Sequence, residues 1–298
     1  MRVSTNTVAD QLLNQIQALG RKQARLQNQV ATGQKIFEAE DNPAAVGRVL
    51  NLESEQRRIG QFGRNITRAL SLSEASFASL QAVKKISDRA SELGVLGATL
   101  NGAASSVAYA NEVDQLIEQT LQAANGKLGN DHLFAGAAVA TVPFVATRDV
   151  DGKVTAVVYA GDANRAAIPV SETSNLTSAT SGATNLGLRD FLNQLVALRG
   201  ALNANSSTAV AAVQVTLVAS EDRLISAIAE QGGVQTRIEA AMGQQQGRAT
   251  SLERLVSSET DADLPTTLVK LNQATTAYQA ALQSGAKIMQ LSLLDYIR

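Results

Sequence analysis

The chain has no cysteine and no tryptophan, one histidine, four prolines and only 3% aromatic residues among its 298. Without cysteine it can build no disulfide framework, zinc ribbon or thiol nucleophile, and an oxidising exterior finds no thiol to oxidise. Scarce aromatic residues argue against a thick globular core, a large sandwich or a barrel, and four prolines are too few for a proline-rich linker. With 26 basic and 27 acidic residues the net charge is -1, so no overall positive field exists to hold a phosphate backbone, and nucleic acid is not an expected partner. No apolar run reaches the roughly 18 residues of a membrane span. The opening Met1-Arg2-Val3-Ser4-Thr5-Asn6 lacks the apolar stretch of a signal peptide, so neither membrane insertion nor a cleaved signal is expected.

Chemistry is equally sparse. A lone His132 beside Asp131 cannot make a multidentate metal site or a nucleophilic triad. Glu38, Glu40 and Asp41 lack calcium-loop spacing and are better explained by helix-start electrostatics. The glycines from Gly94 to Gly102 lack the flanking residues of a phosphate loop, and read as a helix break and reversal. No catalytic, cofactor or metal site is expected, and the chain is not expected to be an enzyme.

What the sequence does contain is helical periodicity. Apolar positions step by four and three at Leu12, Ile16, Leu19, Leu26 and Val30, with Gln23 in the open place. Asp41-Asn42-Pro43 then supplies an N-cap and a first-turn proline for a second helix. That helix runs through Ala45, Val49, Leu52, Ile59, Ile66, Leu70, Phe77 and Leu80, and a shorter one follows from about Ser105 to Asn125. On the return side Val210, Val213, Leu217, Leu224, Val234, Ile238 and Leu252 hold the same alternation, with Ser220, Gln231 and Gln245 in the gaps. The two long helices are natural antiparallel partners. A final helix opens after Asp263 with Pro265 in its first turn, and Leu264, Leu268, Leu271, Tyr278, Leu282 and Met289 form its seam. Such narrow seams cannot support isolated helices.

Between the helical halves the period changes to that of strands. Asp151-Gly152 reads as a type I′ hairpin turn before Val154-Thr155-Ala156-Val157-Val158-Tyr159, and Ile168-Pro169 as an edge strand. The expected fold is mainly α: a long antiparallel helical bundle or coiled-coil rod with an inserted small β-rich domain. Its parts are terminal helices at 1–40 and 262–298, a helical rod at 41–132 and 187–261, and an insertion at 133–186 that folds as a separate unit. The terminal seams should stay without stable partners in the free subunit and serve assembly, through Leu12, Ile16, Leu19, Leu26, Val30, Leu268, Leu271, Tyr278, Leu282 and Met289.

Several short blocks, in order, carry a family resemblance. They are Met1-Arg2-Val3-Ser4-Thr5, Ala31-Thr32-Gly33-Gln34-Lys35-Ile36, Asp41-Asn42-Pro43-Ala44-Ala45, His132-Leu133-Phe134-Ala135-Gly136, Tyr159-Ala160-Gly161-Asp162 and Lys287-Ile288-Met289-Gln290-Leu291-Ser292-Leu293-Leu294-Asp295-Tyr296-Ile297. Together they resemble the hook-associated protein 3 family of bacterial flagella, within the wider flagellin class. The resemblance implies a structural, non-catalytic motility protein at the hook–filament junction, outside the cell. It also implies type III export without a cleaved signal. Implied partners are hook-associated protein 1, flagellin, further copies of the chain and an export chaperone, with no cofactor. Flagellin itself is the nearest alternative, although its usual Asp-Asp-Ala-Ala helix start is here Asp41-Asn42-Pro43-Ala44-Ala45 and its Pro-Gln-containing ending is missing. A cytoplasmic coiled-coil scaffold would account for the heptads but not for the strands.

Overall fold

The computed structural model describes residues 3–38, 40–99 and 102–297, with side chains described between 10 and 287. Among these the chain is mainly α. Its helices are α1 (Val3–Thr32), α2 (Pro43–Thr99), α3 (Ala103–Ala124), α4 (Gly182–Asn203), α5 (Ser207–Thr260) and α6 (Leu264–Ile297). Six short strands lie between α3 and α4: β1 (Lys127–Leu128), β2 (Asp131–His132), β3 (Phe144–Arg148), β4 (Val154–Tyr159), β5 (Ile168–Pro169) and β6 (Asn175–Leu176). They pair in sequence as three two-stranded antiparallel sheets. The chain divides into two compact units, one of 1–57 with 249–298 and one of 58–248.

Helix boundaries follow local chemistry. The Asn42 side chain accepts from the Ala45 N–H at 3.1 Å, starting α2. Asp263 caps α6 by accepting from the Thr266 N–H at 3.4 Å and from its hydroxyl at 2.6 Å, and Ser181 caps α4 by accepting from the Thr184 N–H at 3.1 Å. Of the glycines expected to mark a break, Gly102 does so as the N-cap of α3, whereas Gly94 and Gly97 lie inside α2, which continues to Thr99. These glycines instead allow close helix packing: a Cβ on Gly94 would lie 2.0 Å from Gln214 Oε1, and one on Gly97 2.4 Å from a Leu202 methyl.

In the unit of 58–248, leucines and phenylalanines of α2 to α5 interlock. Leu80, Val83, Leu93, Val113, Ile117, Phe191, Leu195, Leu202, Leu217 and Leu224 are all buried in one cluster. The polar seam positions are buried too. Gln231 donates to Ser73 Oγ at 2.6 Å and to the Ser178 carbonyl at 3.0 Å, and Ser220 donates to Gln194 at 2.7 Å. The Gln231–Ser73 layer fixes the register of α5 against α2, the Ser220–Gln194 layer that of α5 against α4, and both penalise slippage.

The strands do not carry a core of their own. Phe134, Phe144, Val154 and Val157 join the helical cluster, because two-stranded ribbons of this size cannot bury enough apolar surface alone. The β3–β4 turn also differs from the expected two-residue form. Asp149 accepts from the Asp151 and Lys153 N–H groups at 3.1 and 2.8 Å, Gly152 takes φ 79°, and the register shifts between Thr147 and Arg148. That is a three-residue loop with a bulge, selected by the Asp149 side chain.

Gly136 also has positive φ, 67°, but a Cβ there would sit 1.9 Å from the Asp162 carbonyl oxygen, whereas one on Gly152 meets nothing within 4 Å. Gly152→Ala should therefore lower stability by about 1–2 kcal/mol from backbone strain alone. Gly136→Ala should cost roughly 3–4 kcal/mol by adding a clash with backbone. Urea unfolding of both variants checks the difference, and equal losses would show that the Asp162 carbonyl can give way.

Candidate assembly surface

In the unit of 1–57 with 249–298, α1 packs antiparallel on α6. A Cβ on Gly285 would touch Leu12 and Ile16 at 3.3 Å, and one on Gly20 would touch the Tyr278 ring at 3.4 Å. Leu12, Ile16, Leu19, Gln23, Leu26 and Val30 form the less exposed face of α1, with Leu26 buried. On α6 the covered positions are Thr267, Leu271, Ala274, Tyr278, Ala281 and Gly285, again stepping by four and three. The terminal seams therefore have partners within the chain.

The predicted α6 residues separate into two columns. Leu271 and Tyr278 face the pairing side. Leu268 and Leu282 lie one position over and remain 45% and 44% exposed. Met289 lies outside the residues whose side chains are described. The cause is volume. α1 presents bulky Leu and Ile side chains, so the facing column of α6 sets Thr, Ala and Gly around Leu271 and Tyr278, and Leu268 and Leu282 turn aside. Reading by hydrophobicity alone missed Thr267, Ala274, Ala281, Gly20 and Gly285. On α6 the signal available was the seven-residue step of Thr267, Ala274 and Ala281, with Gly285 four residues beyond.

Leu264 continues the outer leucine column at 43% exposed, and Val269 lies beside it at 57%. Leu13 on α1 is also exposed. Leu264 and Leu268, and again Leu282 beyond Thr275, are apolar points along one side of α6 that a further helix would cover.

The segments joining these helices are tied down by hydrogen bonds. Gly33 leaves α1 at φ 73°, and Gln34 and Asp261 form an antiparallel bridge. The bridge is flanked by Lys35 N–H to the Thr260 carbonyl and Ala262 N–H to the Gly33 carbonyl, both 2.7 Å. The Lys35 ammonium donates to the Ser258 carbonyl at 2.7 Å, at the carbonyl-rich end of α5. Arg48 forks onto Glu259 at 3.1 and 2.9 Å, and Arg25 meets Asp41 at 3.0 Å.

Four carboxyls of this clamp are held below their ordinary range. Asp41 is lowered by the Phe37 and Glu38 N–H groups and then by Arg25, and Glu259 by Arg48. Asp261 is lowered by the Ser257 and Thr260 hydroxyls, and Asp263 by Thr266. These acidic residues serve loop and helix ends. Among the described residues no group of three His, Asp or Glu converges as metal ligands, and no helix is long and apolar enough to cross a membrane. His132 is buried, its Nδ1 lying 3.1 Å from the Asn125 carbonyl, and Asp131 pairs with Arg68. An open groove of about 600 Å³ between α4 and α5 carries charges that pair locally, including Arg223 with Asp190 at 3.9 Å.

Residues 3–138 match the family model of the bacterial flagellin N-terminal helical region. A search of curated proteins gives no match. Among solved structures, the fold is similar to that of a protein assigned as flagellar hook-associated from Vibrio parahaemolyticus. The TM-score is 0.65 at 19% identity, over 74% of this chain and 100% of that one. FlgL of Bacillus cereus is similar with a TM-score of 0.59 at 18% identity, over 70% and 99% of the two chains. Hook-associated protein 3 of Legionella pneumophila follows with 0.51 at 15%, over 76% and 99%. Residues 3–138 are thus similar to the flagellin amino-terminal helical region, and the fold is similar to that of these solved structures.

Carboxyls lowered in the folded state stabilise it fully above their unfolded pKa and lose that contribution as pH falls through the folded value. The clamp should therefore be insensitive between about pH 5 and 8 and weaken below about pH 4. Thermal melting of the wild type and Asp41→Asn across this range checks it: the stability difference between them should shrink as the pH drops. A constant difference down to about pH 2 would remove Asp41 ionisation from the clamp.

Proposed function

We propose that this chain, flagellin-like in its amino-terminal helices and folded like hook-associated protein 3, is a structural subunit of the bacterial flagellum joining hook to filament. The observation that carries this reading is the leucine column of α6, exposed beside a helix pair whose inner seam is already complete. An inner seam used within the chain holds the two terminal helices as one unit, and the outer column is left to bind neighbours. Leu268 and Leu282 are its centre, and Met289 extends the same seven-residue step. Leu12, Ile16, Leu19, Leu26, Val30, Leu271 and Tyr278 contribute by keeping α1 and α6 paired.

The neighbours are hook-associated protein 1 on the hook side, flagellin on the filament side and copies of this chain around the ring. An export chaperone covers the ends before secretion. The location is the flagellum outside the cell, reached through the flagellar type III path. The role is structural rather than catalytic. A filament subunit is the second reading; the Asn42-Pro43 helix start weighs against it.

Leu268 and Leu282 are each nearly half exposed, so covering the remainder is worth roughly 1 kcal/mol apiece. Leu268→Asp/Leu282→Asp should therefore weaken binding to hook ends at least about tenfold, since a buried unpaired carboxylate adds to the loss. The helical circular dichroism and melting of the free subunit should be unchanged. Leu26→Asp should instead disrupt the α1–α6 pair itself. Unimpaired hook-end binding by the double variant would remove the outer column from assembly, and long filaments grown from pure protein would favour the filament-subunit reading.

A further inference from the structure

The segment Val154-Thr155-Ala156-Val157-Val158-Tyr159 is β-branched or aromatic at all but one position and has no charge, Pro or Gly. A six-residue stretch of this kind on an open sheet edge is a template for strand addition by another chain. Here it lies in a sheet of only two strands, so both strands are edges. Its outer face is apolar as well, with the cross-strand pair Val145 and Val158 exposed at 47% and 57%.

The phase of the ladder identifies which backbone groups point outward. Ala160 N–H donates to the Pro143 carbonyl at 2.8 Å, so the next pair bonded across the ribbon is Val145 with Val158. Phe144 and Ala146 on β3, and Val157 and Tyr159 on β4, therefore turn their N–H and C=O groups away from the ribbon. Two asparagines meet these outward groups. Asn125, the residue capping the end of α3, accepts from Phe144 N–H and donates to the Phe144 carbonyl, both at 2.9 Å. Asn193, on α4, accepts from Val157 N–H and donates to the Val157 carbonyl, both at 2.9 Å. Each amide side chain thus makes the two bonds that a neighbouring strand would make.

Both asparagines are held in place. The Asn125 N–H donates to the Leu121 carbonyl at 3.0 Å and its own carbonyl lies 3.1 Å from His132 Nδ1, while Asn193 also donates to the Arg189 carbonyl at 3.0 Å. Arg199, itself paired with Asp114, closes the Val154 carbonyl at 2.7 Å on the same side as Asn193. We infer that Asn125 and Asn193 act as surrogate strands that close the two edges of the β3–β4 ribbon against strand addition by a second copy of this chain. The inference is independent of the flagellar reading and would hold in any setting that crowds copies together.

The test uses the full chain. Asn125→Ala, Asn193→Ala and the double variant are compared with wild type by sedimentation velocity at matched concentrations, with amide exchange at Phe144 and Val157. The expected result is faster exchange at those two amides and a shift of the double variant to dimers and larger species. For the β3 edge the association should be reversed by adding Ala146→Pro to Asn125→Ala, since proline removes the next outward N–H without touching the ladder. Association that survives Ala146→Pro would trace to general unfolding and overturn the proposal, as would no gain in association. If the alanine variants lose helical circular dichroism, the near-isosteric Asn→Leu pair decides by the same criteria, because it removes the four bonds while keeping the volume.

Discussion

The terminal unit depends on one steric match: at two contacts of α1 with α6 a glycine on one helix lies under a bulky side chain on the other. Gly285 lies under Leu12 and Ile16, and Gly20 under the Tyr278 ring, so the two helices approach closely at both places. Close approach maximises dispersion contacts along the seam. It also forces the remaining leucines of α6 out of the contact. The exposed column of Leu264, Leu268 and Leu282 is thus a consequence of how the pair is packed.

The same economy of large side chains explains why polar groups appear throughout the longer unit. With 3% aromatic residues the bundle of 58–248 has little bulk to specify a register by shape alone. Gln231 reaching Ser73 and Ser178, and Ser220 reaching Gln194, supply that specification by hydrogen bonds that a one-turn slip would leave unmade. The three phenylalanines Phe134, Phe144 and Phe191 concentrate where strands meet helices, which is why the strands belong to the helical core.

Much of this was legible beforehand, and the failures have physical causes. Asn42 and Asp263 were readable as caps because a short polar side chain before a helical period has one evident use. Buried Ser220, Gln231 and Gln245 were readable as seam positions because heptad spacing holds whatever residue fills it. Gly94 and Gly97 misled because glycine marks both helix breaks and close helix contacts, and only the partners Gln214 and Leu202 tell the two apart. Leu268 and Leu282 were placed with Leu271 and Tyr278 because hydrophobicity ranks leucine over alanine, whereas the pairing depended on the volume offered by α1. Asn193 gave no signal at all, since its partner is the backbone of Val157, distant in sequence.

A chain without cysteine allows a direct test of this division between an inner seam used within the chain and an outer column used between chains. Single cysteines at Leu268 and at Leu19, each carrying a small fluorophore, would be followed by quencher access in the free subunit and after docking on hook ends. The account predicts that the Leu268 label is open to quencher in the free subunit and shielded on docking, while the Leu19 label is shielded throughout. A Leu19 label that is open in the free subunit and closes only on docking, with no change at Leu268, would contradict it.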